Sequence, residues 1–232
     1  KKVLITGNTG FKGSWLTAWL TKLGAKIIGV SKNIPTNPSI FEELKLEGQI
    51  KHYKEDIRDL SKMIDIISNE KPDFVFHLAA QPLVLTSYTD PIETISSNVM
   101  GTANILEAMK TLNNKCTAII ITSDKAYDNV EQVLGYKEDD KLGGKDIYSG
   151  SKGAAELIIK SYYHSFLKTK NSNLKLAIGR AGNVIGGGDW AKDRIVVDCM
   201  KAWSEDKIAE IRTPKATRPW QHVLEPLSGY LT

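Results

Sequence analysis

The chain opens with Lys1-Lys2-Val3-Leu4-Ile5-Thr6-Gly7-Asn8-Thr9-Gly10-Phe11-Lys12-Gly13, and this stretch decides the fold. The apolar run predicts a short buried strand, and the Gly-x-x-Gly-x-x-Gly spacing predicts a tight turn into a helix. Such glycines let the backbone approach a pyrophosphate, and the N–H groups and dipole at the helix start favour an anion. We therefore expect a dinucleotide cofactor in contact with Gly7, Thr9, Gly10, Phe11, Lys12 and Gly13. A glycine turn without a ligand is the alternative.

Beyond this stretch, short apolar runs alternate with longer amphipathic segments. Strands are predicted at residues 2–6, 26–30, 50–54, 74–77, 117–122 and 174–179. Helices are predicted at residues 11–23, 60–69, 96–111, 148–167 and 193–204. Runs such as Ile119-Ile120-Ile121 are apolar on successive residues, which is typical of a parallel sheet covered on both faces. The alternation predicts the α/β class, with right-handed crossovers and a doubly wound, Rossmann-like parallel sheet.

The pattern changes after Gly182, where glycines and prolines interrupt the periodicity. We expect a dinucleotide-binding domain at residues 1–182. Residues 183–232 are expected to form part of a smaller substrate-binding lobe rather than more sheet. Residues 224–232 have the pattern of an unfinished helix, so this lobe is expected to be incomplete.

The composition is that of an ordinary globular protein, with 232 residues, 41% hydrophobic, 25% charged and a net charge of +4. Positive and negative residues are interleaved, which disfavours nucleic acid as a partner. The cysteines and histidines have no metal-ligand spacing, so no metal is expected. Two widely separated cysteines predict a reducing compartment, and no apolar run approaches the roughly 20 residues that span a bilayer. A cytoplasmic protein is expected.

Further cofactor contacts are expected where predicted strands end. Asp56-Ile57 follows the third strand, where a carboxylate and backbone can hold an adenine ring, although Asp56 as a helix cap is the alternative. Leu78-Ala79-Ala80 follows the fourth strand, where small residues let the backbone lie against the cofactor. After the second strand the chain has Ser31 and Lys32 instead of a carboxylate. These residues tolerate a 2′-phosphate, so NAD and NADP both stay open.

Tyr148 and Lys152 are four positions apart and share one face of the predicted helix. The ammonium, with an oxidised nicotinamide nearby, is expected to lower the tyrosine pKa from about 10. The phenolate can then accept a proton from a substrate hydroxyl while hydride leaves the same carbon. The preceding strand ends in Thr122-Ser123, whose hydroxyls are expected to orient the same substrate oxygen.

Asp124-Lys125 adds a second acid–base couple, which simple hydride transfer does not require. Oxidation of a sugar C4 to a ketone acidifies the neighbouring C5–H. Lys125 is expected to remove that proton as the base, and Asp124 to protonate the departing C6 hydroxyl as the acid. These roles need a neutral Lys125 and a protonated Asp124. An exposed pair in a loop is the alternative.

Together these motifs resemble the extended short-chain dehydrogenase/reductase family, and within it the CDP-glucose 4,6-dehydratases, over nearly the whole chain. General marks of the family are the glycine loop, Asp56-Ile57-Arg58-Asp59, His77-Leu78-Ala79-Ala80-Gln81, Asn98-Val99-Met100-Gly101-Thr102 and Tyr148-x-x-x-Lys152. More specific marks lie at residues 10–16, 122–125, 180–190 and 218–227. Most sugar-nucleotide dehydratases have Asp-Glu at the acid–base pair, whereas Asp-Lys is the CDP-glucose pattern and matches Asp124-Lys125.

The resemblance implies that NAD stays bound and is recycled. Hydride leaves C4, water is lost across C5–C6 and hydride returns to C6, which gives a 4-keto-6-deoxy sugar. The resemblance adds Asn98 and Thr122 to the cofactor contacts. It implies that the sugar nucleotide contacts Gln81, Ser87, Asn183, Gly188, Asp189, Trp190, Arg194, Arg218 and His222. It also implies a homodimer, in which helices 96–111 and 148–167 of both subunits form a four-helix bundle, with a higher oligomer as the alternative.

Leu85 departs from the family pattern, because an arginine is expected at this position. It lies close to the expected sugar-nucleotide pocket, so another NDP-hexose, GDP-linked or N-acetylated, is an alternative substrate. A C4 epimerase or a simple reductase is the alternative reaction, which Asp124-Lys125 disfavours because an epimerase needs no base at C5. A non-enzymatic cofactor-binding protein is disfavoured by the intact tyrosine and lysine.

Overall fold

The central element of the computed structural model, which describes residues 1–168 and 173–232, is a six-stranded parallel sheet. Its strands are β1 (Lys2–Thr6), β2 (Lys26–Val30), β3 (Lys51–Tyr53), β4 (Phe74–His77), β5 (Cys116–Ile121) and β6 (Leu174–Gly179). They lie in the order β3-β2-β1-β4-β5-β6, and Leu4 of β1 pairs with Ile28 on one side and Val75 on the other. The strand order therefore reverses between β1 and β4, where open α/β sheets bind ligands. The predicted fold class and all six strands are confirmed.

Nine α-helices are found in the described part of the chain. They are α1 (Phe11–Lys22), α2 (Ile40–Glu43), α3 (Leu60–Glu70), α4 (Val84–Thr89), α5 (Pro91–Ile95), α6 (Gly101–Met109), α7 (Ile147–Tyr162), α8 (Ile195–Ser204) and α9 (Leu224–Leu231). The predicted helix at 96–111 is a π-helical turn, Ser96–Met100, followed by α6, and the one at 148–167 is α7 followed by the π-helical turn Tyr163–Leu167. The short helices α2, α4 and α5 were not predicted, because they are too short to show a helical period.

Both faces of the sheet are buried, as the apolar runs predicted. Leu4 packs with Val75 and Ile105 on the face covered by α3, α6 and α7. The neighbouring residues Val3 and Ile5 point to the opposite face, because side chains alternate along a strand. There they pack against α1 and α9.

The segment after β6 contains a second, two-stranded parallel sheet, formed by β7 (Asn183–Ile185) and β8 (Trp220–His222). The expectation of a lobe without further sheet is thus wrong, because these three-residue strands depend on a pairing across more than thirty residues of chain. Leu227 and Tyr230 of α9 join the same buried cluster as β1 and α1. The division into residues 1–182 and 183–232 stays a prediction.

In the described residues, no helix is long and apolar enough to cross a membrane. Nor do three or more His, Cys, Asp or Glu side chains come together there in a way that could hold a metal ion.

Candidate active site

A cavity of about 1140 Å³ opens at the carboxyl ends of the first five strands. The segments that follow β1 to β5 line one side, and residues from 181–198 and 210–220 line the other. Of the predicted site residues, the cavity brings together Gly7, Thr9, Gly10, Phe11, Lys12, Gly13, Ser31, Asp56, Ile57, Leu78, Ala79, Ala80, Gln81, Thr122, Ser123, Asp124, Lys125, Tyr148, Lys152, Asn183, Gly188, Asp189, Trp190, Arg194 and Arg218.

The glycine loop forms a cradle that side chains would fill. Gly7 has a φ of +73°, and a Cβ on it would lie 2.7 Å from the backbone nitrogen of Ala79. A Cβ on Gly13 would collide with the carbonyl oxygen of Gly7. Gly10 is the N-cap of α1 and has no side chain to cover the free N–H groups there. These residues fit a pyrophosphate at the start of α1, and therefore a dinucleotide.

The end of the cavity beside β2 and β3 carries balanced charges. Arg58 donates hydrogen bonds to both carboxylate oxygens of Asp56, and this pairing lowers the pKa of Asp56. Glu93 forms ion pairs with both Arg58 and Lys32, and its Oε1 lies 2.7 Å from Lys32 Nζ. The Ser31 hydroxyl donates to Asn8 Oδ1 at 2.7 Å. Asp56 is thus held by its neighbour in this loop, and its role toward an adenine stays a prediction.

The two predicted acid–base couples face the same cavity. Ser123 ends the segment after β5, and its hydroxyl donates to Asp124 Oδ1 at 3.0 Å while accepting from the Lys125 backbone N–H at 3.2 Å. Asp124 and Lys125 begin a 3-10 turn, so they extend from the edge of the sheet. On α7, the Nζ of Lys152 lies 6.0 Å from the centroid of the Tyr148 ring. A hydroxyl, an acid, two amines and a phenol therefore meet in one cavity.

The protein's own groups do not lower the pKa of Tyr148, and the lowering expected beside an oxidised nicotinamide stays a prediction. Burial raises its pKa, the negative charge of Asp124 adds to the rise, and a hydrogen bond with Ser123 opposes it. Burial also lowers the pKa of Lys152 to about 8, with a further contribution from the positive charge of Lys12. The free energy needed to remove a phenolate from water is larger than the stabilisation that the protein's own cations provide, so the pKa of Tyr148 rises.

Three further basic side chains, Lys12, Arg194 and Arg218, line the cavity. Desolvation, assisted by Arg194, lowers the pKa of Lys12 to about 8, while Asp124 opposes the shift. Arg194 Nε lies 3.4 Å from a carboxylate oxygen of Asp189. Arg218 also lines the cavity, and its guanidinium contacts the Thr217 carbonyl oxygen at 2.7 Å. Clustered lysine and arginine side chains suit phosphate groups.

Three predicted contacts do not line the cavity. Ser87 is fully buried and donates to the Val84 carbonyl oxygen inside α4. His222 accepts a hydrogen bond from the Leu224 N–H and lies against the Trp15 ring. Asn98 is also buried, but it bonds both backbone groups of Gln81, which does line the cavity.

Other residues at the cavity were missed by sequence reasoning. Arg212 lines the wall from a segment without helix or strand, and Trp220 lines it from the three-residue strand β8, so no periodic signal points to either. The buried pair of Glu156 and Arg180 lies behind the acid–base groups. The sequence did contain a signal for Glu156, because it follows Lys152 by four residues and therefore lies on the same face of α7.

The comparisons with known proteins agree with this geometry. The family model described as GDP-mannose 4,6 dehydratase matches residues 4–227. The chain is 51% identical over 234 aligned residues to CDP-glucose 4,6-dehydratase of Salmonella typhimurium, and it spans 65% of that relative's length. It is 31% identical to dTDP-D-glucose 4,6-dehydratase of Dictyostelium discoideum, of which it spans 54%.

Among solved structures, UDP-glucuronic acid 4-epimerase of Bacillus cereus, in complex with UDP-glucuronic acid and NAD, is 28% identical with a TM-score of 0.82. The match covers 100% of this chain and 72% of that one. Because the family model matches almost the whole chain, and the fold and cavity agree with it, the chain belongs to the GDP-mannose 4,6 dehydratase family of extended short-chain dehydrogenases/reductases.

Proposed function

We propose that this chain is part of a 4,6-dehydratase that converts CDP-glucose to CDP-4-keto-6-deoxyglucose with recycled NAD. The observation that carries the proposal is the Asp124-Lys125 pair, which faces the same cavity as Tyr148 and Lys152. A sugar C5–H and a C6 hydroxyl can then meet a base and an acid while C4 lies beside the tyrosine. The 51% identity to a CDP-glucose 4,6-dehydratase supports the same substrate and reaction.

The residues of the chain divide the proton transfers between them. Tyr148 takes the proton of the C4 hydroxyl as that carbon is oxidised, and Ser123 orients the same oxygen. Lys125 removes the C5 proton, and Asp124 gives a proton to the C6 hydroxyl, which leaves as water. NAD held at Gly7, Gly10 and Gly13 would supply the hydride acceptor for C4 and the hydride donor for C6, and protonated Lys125 would return a proton to C5. NAD is the proposed cofactor, because relatives of this fold are solved with NAD bound.

Positive residues on the second side of the cavity account for a nucleotide diphosphate as the carrier of the sugar. Arg194 and Arg218 both line this side. Guanidinium groups pair with phosphate oxygens through two parallel hydrogen bonds, so one or both are assigned to the diphosphate. The glycines and Asp189 at residues 186–189 shape the neighbouring wall.

The partner of the chain is proposed to be a second copy. Large apolar side chains lie exposed on α5, α7 and the π-helical turns beside them: Ile92, Met100, Leu157 and Phe166. Pairing of two such faces into a four-helix bundle would cover them. Light scattering at micromolar concentration should find a dimer, and a monomer would contradict this assembly. With both cysteines free, the cytoplasm is the proposed location.

The substrate is tested by incubating the protein with CDP-glucose and, in parallel, with GDP-, UDP- and dTDP-linked hexoses. A 4-keto-6-deoxy product absorbs ultraviolet light in alkali, and we expect it from CDP-glucose. Product from another nucleotide alone would overturn the CDP assignment. Exchange at C4 without loss of water would indicate an epimerase instead.

The roles of the acid–base pair are tested with Lys125→Met. Elimination should fall by about 100-fold or more, since a positioned base contributes roughly that much or more, while oxidation at C4 still reduces the cofactor, seen by its absorbance. Lys145→Met is the matched control, because Lys145 is an exposed lysine outside the cavity wall. A normal rate of dehydration in Lys125→Met would remove this residue as the base.

A further inference from the structure

Glu156 lies on the same face of α7 as Tyr148 and Lys152, because the three positions are each four apart. Its side chain is fully buried. A carboxylate in such a place needs partners that satisfy both its oxygens, since a buried charge is otherwise very unfavourable. The partners of Glu156, Thr122 and Arg180, directly follow strands β5 and β6.

Two side chains satisfy the Glu156 carboxylate. The Thr122 hydroxyl donates to Oε1 at 2.7 Å, and Arg180 Nε donates to the same oxygen at 2.7 Å. Arg180 Nη2 donates to Oε2, which completes a two-pronged pair. The guanidinium itself is held by the Glu138 carbonyl oxygen at 3.1 Å and lies 4.5 Å from the centroid of the Tyr127 ring.

These contacts join the end of β5 to the end of β6 and to α7. The Thr122 N–H donates to the Gly179 carbonyl oxygen at 2.9 Å, and the Asp124 N–H donates to the Ala181 carbonyl oxygen at 3.2 Å. Arg180 lies between these two acceptors in the chain. The spacing between the Asp124 couple, which follows β5, and the Tyr148 couple, on α7, therefore depends on the link through Glu156.

The charge of Glu156 also acts on Lys152. Burial and the positive charge of Lys12 lower the pKa of the Lys152 amine, and Glu156 opposes them. His77 of β4 also faces Lys152, and its own pKa is lowered to about 3 by burial and by that lysine, so it is neutral at physiological pH. Tyr148 is the fourth titratable neighbour. Among these groups Glu156 supplies the negative charge.

We propose that Glu156 is a positioning residue of this active site: its bonds to Arg180 and Thr122 hold the end of β5 against α7, and they fix its negative charge one helical turn from Lys152. The proposal deepens the dehydratase function given above. Lys12 has the opposite electrostatic effect on the same amine.

The test measures the titration of Lys152 directly, in the purified protein, by trace labelling with acetic anhydride across pH and mass spectrometry of the peptide. Glu156→Gln removes a negative charge and should lower the midpoint by about one pH unit. Lys12→Gln removes a positive charge that lowers this pKa and should raise the midpoint. Glu70→Gln is the matched control, because Glu70 is a buried, ion-paired glutamate at the opposite end of the sheet, with Lys2 and Lys51. It should leave the midpoint unchanged.

A merely structural role makes a different prediction. Loss of packing would move the midpoints of Glu156→Gln and Lys12→Gln in the same direction, or leave both unchanged, and either result would overturn the proposal. The second readout is the pH–rate profile with CDP-glucose, whose alkaline limb should move to lower pH in Glu156→Gln and to higher pH in Lys12→Gln. If no nucleotide sugar is dehydrated, the labelling midpoints still decide the role of Glu156, so failure of the proposed function is seen separately.

Hydrogen exchange of backbone amides tests whether Glu156 holds the end of β5 in place. The amides of Thr122 and Asp124 should exchange about tenfold faster in Glu156→Gln, and at the wild-type rate in Glu70→Gln. Unchanged protection of both amides in Glu156→Gln would show that the link does not hold the end of β5.

Discussion

Acidification should destabilise the protein through His77, the last residue of β4. The imidazole is 2% exposed and lies between two hydroxyl groups. Its Nδ1 is 2.7 Å from Thr6 Oγ1, and its Nε2 is 3.1 Å from Thr102 Oγ1. The Thr102 hydroxyl donates to the Asn98 carbonyl oxygen, so it accepts from Nε2–H, and Nδ1 accepts from Thr6. This network accommodates the neutral ring and has no acceptor for a second ring proton.

The magnitude follows from the pKa of His77, which burial lowers from 6.5 to about 3. Between these values the unfolded chain binds a proton that the folded protein does not, so the free energy of unfolding falls as the pH falls below 6.5. Each pH unit is worth about 1.4 kcal/mol. Between pH 7.5 and pH 5 the histidine should therefore remove about 2 kcal/mol of stability.

The assay is urea denaturation at several pH values between 7.5 and 5, in the wild type and in His77→Gln. Glutamine keeps a donor and an acceptor but does not titrate in this range. At pH 7.5 the variant should have a lower free energy of unfolding than the wild type. Between pH 7.5 and pH 5 this free energy should fall by about 2 kcal/mol less in the variant than in the wild type. His164→Asn, which changes an exposed histidine, should keep the wild-type slope. The argument is refuted if the free energy of unfolding changes equally with pH in the wild type and in His77→Gln.

Two further predictions concern the cradle and the core. Gly13→Ala should raise the dissociation constant for NAD by roughly tenfold or more, about 1.4 kcal/mol, because the added methyl group meets the Gly7 carbonyl oxygen. Calorimetric titration measures this, and Gly48→Ala, where a Cβ meets nothing, should bind normally. Ile105→Ala should lower the free energy of unfolding by about 2–5 kcal/mol, since its side chain is fully buried between the sheet and α3. Urea denaturation checks it, and an equal loss in Ile208→Ala, which changes an exposed isoleucine, would contradict the assignment of the core.

Much of the fold could be predicted because its signals are local. Five of the six strands are rich in β-branched and apolar residues, as parallel strands buried on both faces need to be, and the exception is the edge strand β3. The glycine loop could be placed because Gly7 has a positive φ and Gly13 has no room for a side chain, requirements that only glycine meets. The helix that carries Tyr148 and Lys152 could be placed by its amphipathic pattern, although its capping aspartate, Asp146, was not recognised from the sequence.

The candidate site was harder to predict, because its properties come from residues far apart in the chain. The β7–β8 pair joins residues more than thirty positions apart, and neither strand is long enough to show a period. The direction of the Tyr148 pKa depends on how far the folded protein excludes water from the phenol. Ser87 and His222 match family motifs, yet their side chains are used inside α4 and beside Trp15.

The amino-acid sequence by itself determined the parallel sheet, the glycine cradle and the residue types of the two acid–base couples, because backbone conformation and burial leave a local pattern. Only the tertiary structure decided that Thr122, Glu156 and Arg180 form one buried link behind those couples. A buried carboxylate is tolerated only where partners from several elements converge on it, and that convergence is a property of the folded chain.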